Sequence, residues 1–144
     1  QSSSQTGDIS RFKNVKLISP TEHEARISTR DAESGLVILA DKLRKASHAE
    51  YVVITLGAEG LLINTMGEEK NGNWITDRLP AMNNSPKDAA GAGDAFMVLS
   101  ALSLASGRSI WESAYLGSLA AAYQVGRVGN IPLDQDELTK EIQQ

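Results

Sequence analysis

The chain has 144 residues and a formal net charge of −4, with acids and bases interspersed along it, so it has no basic stripe of the kind a nucleic-acid binder uses to neutralise phosphates. It contains no cysteine, which excludes a disulfide framework and thiolate metal sites, and no apolar run reaches the length of a membrane span. A chain of this size buries about two thirds of its unfolded surface, enough for one domain with a single core; neither nucleic acid nor a membrane is an expected partner.

In chain order, Gln1 to Gly7 is polar and serine-rich and reads as a loop or frayed end. Val15 to Ile18 is a short apolar run suited to a buried strand. Ser19-Pro20-Thr21-Glu22 then fits a helix start, with Ser19 as cap, Pro20 at the first helical position and Glu22 completing a capping box. Leu36, Leu39, Ala40 and Leu43 repeat at helical spacing and predict an amphipathic helix over about Asp31 to Ala46. Tyr51 to Leu56 is continuous and β-rich, as expected of a strand covered on both faces. Strand, helix and strand in that order predict parallel pairing. Gly57 to Gly60 ends the run, and Leu61 to Asn64 with Trp74 to Leu79 read as further strands around a polar Gly67 to Asn73 turn. A helix is predicted over Ala95 to Ala105 and stops at Gly107. Ser109 with Glu112 forms a capping box for a helix from Ile110 to Val125, which is apolar nearly all round and so expected to be buried. Leu133 to Ile142 supports a short terminal helix. No repeat or linker marks a domain boundary.

The densest chemical signal is Gly91-Ala92-Gly93-Asp94 at the head of the Ala95 helix. Two glycines permit a tight turn in which consecutive N–H groups point the same way. Donors at a helix start carry a dipole equivalent to roughly +0.5 charge, which suits a phosphate gaining negative charge as it is transferred. Asp94 has two readings here: a base accepting a hydroxyl proton beside that cradle, or a first-turn acid favoured by the helix dipole. His23, set between two acids, and His48 have no partner at metal-ligand spacing.

Asp88-Ala89-Ala90-Gly91-Ala92-Gly93-Asp94-Ala95-Phe96 resembles the D-T-T-G-A-G-D-x-F signature of the ribokinase family, the PfkB-type carbohydrate kinases. Three further segments resemble the family in the order it requires: Ser19-Pro20-Thr21-Glu22-His23-Glu24-Ala25, Val53-Ile54-Thr55-Leu56-Gly57-Ala58-Glu59-Gly60, and Ala120-Ala121-Ala122 leading to Gly126-Arg127-Val128-Gly129. The resemblance covers the chain from about Phe12 onward. It implies an α/β, ribokinase-like three-layer fold with a mainly parallel central sheet, present as its C-terminal portion. The chain lacks a starting methionine and enters where a family member would already have passed its sugar-binding half, so a fragment of the full enzyme is expected.

By that resemblance Asp94 is the general base, and the backbone of Gly91, Ala92 and Gly93 forms the anion hole. Thr55, Gly57 and Gly60 approach the nucleotide, Gly57 allowing close backbone contact and Gly60 the reversal into Leu61. Glu24 stands at the acid of the family's N-x-x-E pattern, which helps hold Mg²⁺ and its water shell; Thr21 replaces the usual asparagine, and a solvated helix acid is the competing reading of Glu24. Asp88 occupies the acid position from which relatives often bind a monovalent cation such as K⁺, with Ala90 where threonine is common. Gly126 to Asn130, including Gly129, would close the far side of that ion and brush the adenine, and Ser118 sits where some relatives carry an asparagine facing the base.

The implied function is phosphoryl transfer from ATP to a hydroxyl of a small sugar or sugar phosphate, with Mg²⁺ required, K⁺ stimulatory and a cytoplasmic location. The stretch Val125 to Gly129 looks somewhat like heptose phosphate kinases. Two alternatives stand beside it: a non-catalytic nucleotide-binding or interaction fragment, and a kinase for a nucleoside or vitamin alcohol. A truncated sheet would also expose an edge and apolar surface, so self-association into a homo-oligomer is expected.

Overall fold

The computed structural model describes residues 13–66, 74–82 and 91–125, together with Asp136, Thr139, Lys140 and Ile142. By its contacts the chain divides into Gln1–Pro80 and Ala81–Gln144.

The first unit is built on four strands, β1 (Leu17–Ile18), β2 (Tyr51–Thr55), β3 (Leu61–Met66) and β4 (Trp74–Leu79), which lie side by side in sequence order. β1 and β2 are parallel, with Leu17 opposite Tyr51, as the strand–helix–strand order predicts. β2, β3 and β4 continue as an antiparallel meander. Among the described residues the sheet is therefore mixed, with its parallel strand pairing between β1 and β2. Alternation along β2 and β3 sends Val52, Ile54 and Leu62 to one face, where they form a core with Ile18, Ala25 of α1 (Glu22–Thr29) and Leu39, Ala40 and Leu43 of α2 (Leu36–Ser47). Val53 and Ile63 point the other way and are equally inaccessible, which accounts for the unbroken apolar run of β2. On the core side of the meander, the Arg44 guanidinium of α2 lies 3.5 Å from the centre of the Trp74 ring.

Two helix starts in this unit differ from expectation. The cap of α1 is Thr21, not Ser19: Thr21 Oγ1 accepts the Glu24 N–H at 3.2 Å and Glu24 Oε2 accepts the Thr21 N–H at 2.8 Å. The cause is tertiary. Thr55 N–H donates to the Pro20 carbonyl at 2.9 Å, and Thr21 bridges Thr55 in parallel fashion, so Pro20 and Thr21 are held extended as a continuation of β1 and the helix cannot begin before Glu22. α2 starts at Leu36 instead of Asp31 because the Asp31 carboxylate accepts the N–H groups of Glu33 and Ser34, folding 31–35 into a turn. Arg26 pins this turn by donating to the carbonyls of Asp31 and Ser34. Both helices end in left-handed residues other than glycine, Arg30 at φ 53° and His48 at φ 54°.

The second unit is a helical hairpin of α3 (Ala92–Ala105) and α4 (Ile110–Val125). α3 begins three residues earlier than predicted, which draws Ala92, Gly93 and Asp94 into its first turn. It ends at a Schellman motif: Gly107, at φ 90°, donates to the Leu104 carbonyl and Arg108 to that of Ser103, both at 3.1 Å. Ser109 and Glu112 then form the expected capping box, each side chain accepting the other's N–H at 3.2 Å. The two helices touch at Gly117, where an added Cβ would lie 2.9 Å from Phe96 Cδ2 and from the Phe96 carbonyl oxygen, and nearer still to Ser100 Oγ. Ser100 Oγ donates across the same seam to the Ser113 carbonyl at 3.1 Å. Of the predicted terminal helix, Asp136, Thr139, Lys140 and Ile142 are described and are helical.

Candidate active site

In the first unit the candidate residues gather where β1 and β2 end, the position at which open α/β sheets take ligands. Thr55 closes β2 and is tied to the start of α1 through Pro20, its N–H at 2.9 Å and its Oγ1 at 3.4 Å from the Pro20 carbonyl oxygen. Glu24 stands one turn into α1, half-buried, with Oε2 engaged by the Thr21 N–H. Next to Thr55 the chain makes a single 3₁₀ turn over Gly57–Glu59. Gly57 at φ 59° and Gly60 at φ 92° lie in backbone regions that side chains rarely adopt. Around Gly57 nothing lies within 4 Å of where a Cβ would project, so the glycine there serves backbone conformation and access rather than packing. The Gly60 carbonyl accepts the Leu56 N–H at 2.8 Å and its N–H returns to Gly57, which closes the turn.

In the second unit Gly91 adopts φ 77° and caps α3 without any side-chain hydrogen bond. Its carbonyl accepts the Ala95 N–H at 2.9 Å. The N–H groups of Ala92, Gly93 and Asp94 precede that bond and have no carbonyl inside the helix to donate to. Gly93 and Asp94 are exposed. Asp94 thus sits in the first turn with its carboxylate at the positive end of the helix dipole. Ser118, on α4, is buried, and its hydroxyl has no hydrogen-bond partner among the described residues. Asp88, Gly126 and Gly129 lie outside the described residues.

The donor set suits a magnesium ion only in a restricted way. Among the described residues no group of three or more His, Cys, Asp or Glu converges as a metal cage. A single carboxylate is nevertheless what Mg²⁺ takes at nucleotide sites, where waters and phosphate oxygens fill its other positions, so Glu24 is chemically compatible with it. No helix among the described residues is long and apolar enough to cross a membrane.

What sequence reasoning missed at this locus is the tie of Pro20 and Thr21 to Thr55. The signal for Thr21 was present, since Thr21 and Glu24 have the spacing of a capping box, but Ser19 with Glu22 offered the same spacing. The contact with Thr55, 34 residues away, decides between them.

An α/β unit with its candidate residues at strand ends, and a glycine-headed helix with an acid in its first turn, are the parts of a phosphate-handling α/β protein. The chain belongs to a family of that class: the model of the pfkB family carbohydrate kinases matches residues 2–136. It is 34% identical over 140 residues to the bifunctional protein HldE of Desulfatibacillum aliphaticivorans, covering 94% of this chain and 27% of that protein. Ribokinase from Thermotoga maritima superposes with a TM-score of 0.74 at 24% identity, over 90% of this chain and 42% of the ribokinase. Phosphofructokinase-2 from Escherichia coli in complex with potassium gives 0.72 at 21% identity, over 89% of this chain and 40% of that one. The fold is therefore ribokinase-like, and the chain spans about a quarter of the length of the curated relatives it matches.

Proposed function

We propose that this chain is the nucleotide-binding and catalytic portion of a ribokinase-like kinase that transfers the γ-phosphoryl group of ATP to a hydroxyl of a sugar or sugar phosphate. The observation that carries the reading is the head of α3: a left-handed Gly91, three N–H groups left over by the helix, and Asp94 among them. The N–H groups around Gly91 to Asp94 would stabilise the transferring phosphoryl oxygens, and Asp94 would take the proton of the attacking hydroxyl. Thr55, Gly57 and Gly60 are assigned to the nucleotide, and Ser118, Gly126 and Gly129 to the adenine side. Glu24 would help hold Mg²⁺, whose contribution is to neutralise charge on the phosphates. Asp88 would hold a K⁺ ion; the Escherichia coli phosphofructokinase-2 solved with potassium supports that assignment by analogy. The location assigned is the cytoplasm.

Two measurements test this. The 144-residue chain, titrated calorimetrically with ADP, is expected to bind weakly and to phosphorylate no sugar in a coupled assay, because positioning of the acceptor supplies roughly 7 to 11 kcal/mol of such a barrier. Joined to a sugar-binding portion, the Asp94→Asn variant is expected to lose about 10² to 10⁴ in turnover with ADP affinity nearly unchanged. Near-normal turnover in that variant would remove Asp94 from the chemistry.

A further inference from the structure

We propose that Arg78 is a positioning residue that braces the Gly57–Glu59 turn through Glu59, an inference that rests on the nucleotide role proposed for that turn. The turn is weakly held by its own residues. Gly57 and Gly60 both sit at positive φ, and glycine loses more backbone freedom on ordering than any other residue. Gly57, Ala58 and Glu59 are exposed. The backbone bonds, from the Leu56 N–H to Gly60, from Glu59 to Leu56 and from Gly60 to Gly57, all close inside the turn. Leu56 packs against the core and fixes where the turn starts. Past that point its tie to another element is a side-chain bond: Arg78 Nη2 of β4 donates to Glu59 Oε2 at 3.3 Å.

Strand register explains why an arginine of β4 reaches a turn that joins β2 to β3. Thr55 of β2 lies opposite Leu61 of β3, and Leu61 opposite Leu79 of β4. Arg78, the residue before Leu79, therefore stands at the same end of the sheet as Thr55 and Gly57. The molecule also contains a control. Lys45 and Asp41 form another exposed ion pair on α2, near the end of that helix that leads into the start of β2 and so away from the strand ends that carry the candidate residues. If ion pairs of this kind served only general stability, breaking either would leave nucleotide affinity alone.

The test is calorimetric titration of the 144-residue chain with ADP, joined to amide hydrogen exchange of the unliganded chain. Arg78→Met keeps the apolar stem and removes the charge. It is expected to weaken ADP binding about threefold, the scale of an exposed ion pair, and to speed exchange at the Glu59 and Gly60 amides by a similar factor. Arg78→Lys is expected to retain both values, and Lys45→Met to change neither. In a Glu59→Gln background, Arg78→Met is expected to cause no further loss of affinity, because its action runs through Glu59. A loss that persists in full in that background means that Arg78 meets the nucleotide itself, and unchanged exchange in Arg78→Met means that it does not hold the turn; either result overturns the proposal. Gly57→Ala separates this failure from failure of the underlying reading. If Gly57→Ala weakens ADP binding and Arg78→Met does not, the brace is wrong and the turn keeps its nucleotide role. If Gly57→Ala binds ADP as the parent chain does, or the parent chain binds none, the nucleotide role of the turn falls and the brace with it.

Discussion

Helix heads in this chain are finished in two ways, and the contrast separates structural from functional use of the same orphan N–H groups. α1 and α4 are closed by reciprocal side-chain boxes, Thr21 with Glu24 and Ser109 with Glu112. α2 and α3 start at glycines with no side-chain cap. A bare head is not in itself a site, as α2 demonstrates: Gly35 has an ordinary extended conformation, the first turn carries no acid, and Val37 and Ile38 lie exposed beside it. At α3 the missing cap is combined with a left-handed residue and an aspartate. Glycine is what makes that conformation available, since the left-handed region disfavours every residue with a Cβ.

The contrast is broken most directly at Gly91. Gly91→Ala is expected to destabilise the chain by about 1–2 kcal/mol, the cost of a side chain in the left-handed region, and to weaken ATP binding together with stability as the N–H groups that face the γ-phosphoryl group lose their alignment. Thermal unfolding and ATP titration of the same variant check both; stability lost without affinity lost would make α3 a helix like α2. At the head of α4, Ser109→Ala is expected to cost about 1 kcal/mol of stability with ADP affinity unchanged. A change in affinity there would erase the distinction between closed and open heads.

The smallest effect concerns the turn that precedes α2. Asp31 pairs with Lys42 and accepts the N–H groups of Ser34 and Glu33, interactions that hold its carboxyl well below the usual carboxylate range. A folded-state value lowered in this way contributes stability above the unfolded value, about pH 3.9, which is lost as pH falls from there toward the folded value. Asp31→Asn is therefore expected to lower the thermal midpoint at neutral pH and to converge with the parent chain in acid. Parallel midpoints across that range would show that the turn does not depend on the charge.

Where local chemistry alone decided the structure, the sequence was readable. Ser109 and Glu112 foretold the α4 cap, Gly107 the end of α3, and the run Tyr51 to Leu56 a strand buried on both faces. Distant contacts were not legible. Ser19 and Thr21 are both acceptable caps, and only the pairing of Pro20 and Thr21 with Thr55 selects the second. Asp31 looked like the start of a helix because Leu36 to Leu43 carries the right period, yet its carboxylate bonds forward to Glu33 and Ser34 and delays the helix by a turn. For the candidate site, Gly91 to Asp94 stood out because two glycines permit a tight turn at a helix head and an acid follows them. The use of Glu24 Oε2 by Thr21 was hidden, since a residue pattern does not say which oxygen of a carboxylate is already taken.

The contact at Gly117 bears on how α3 can move. With no side chain on Gly117, the Phe96 ring, the Phe96 carbonyl and the Ser100 hydroxyl close directly onto its backbone, and the connection 106–109 is fixed by the Schellman bonds on one side and the Ser109 box on the other. Packing this tight does not deform gradually. Gly91 to Asp94 are therefore mounted on a two-helix lever and not on a single free helix: tilting the anion-facing end of α3 means carrying α4 with it, and a substitution far along α4 can reach that end without touching it.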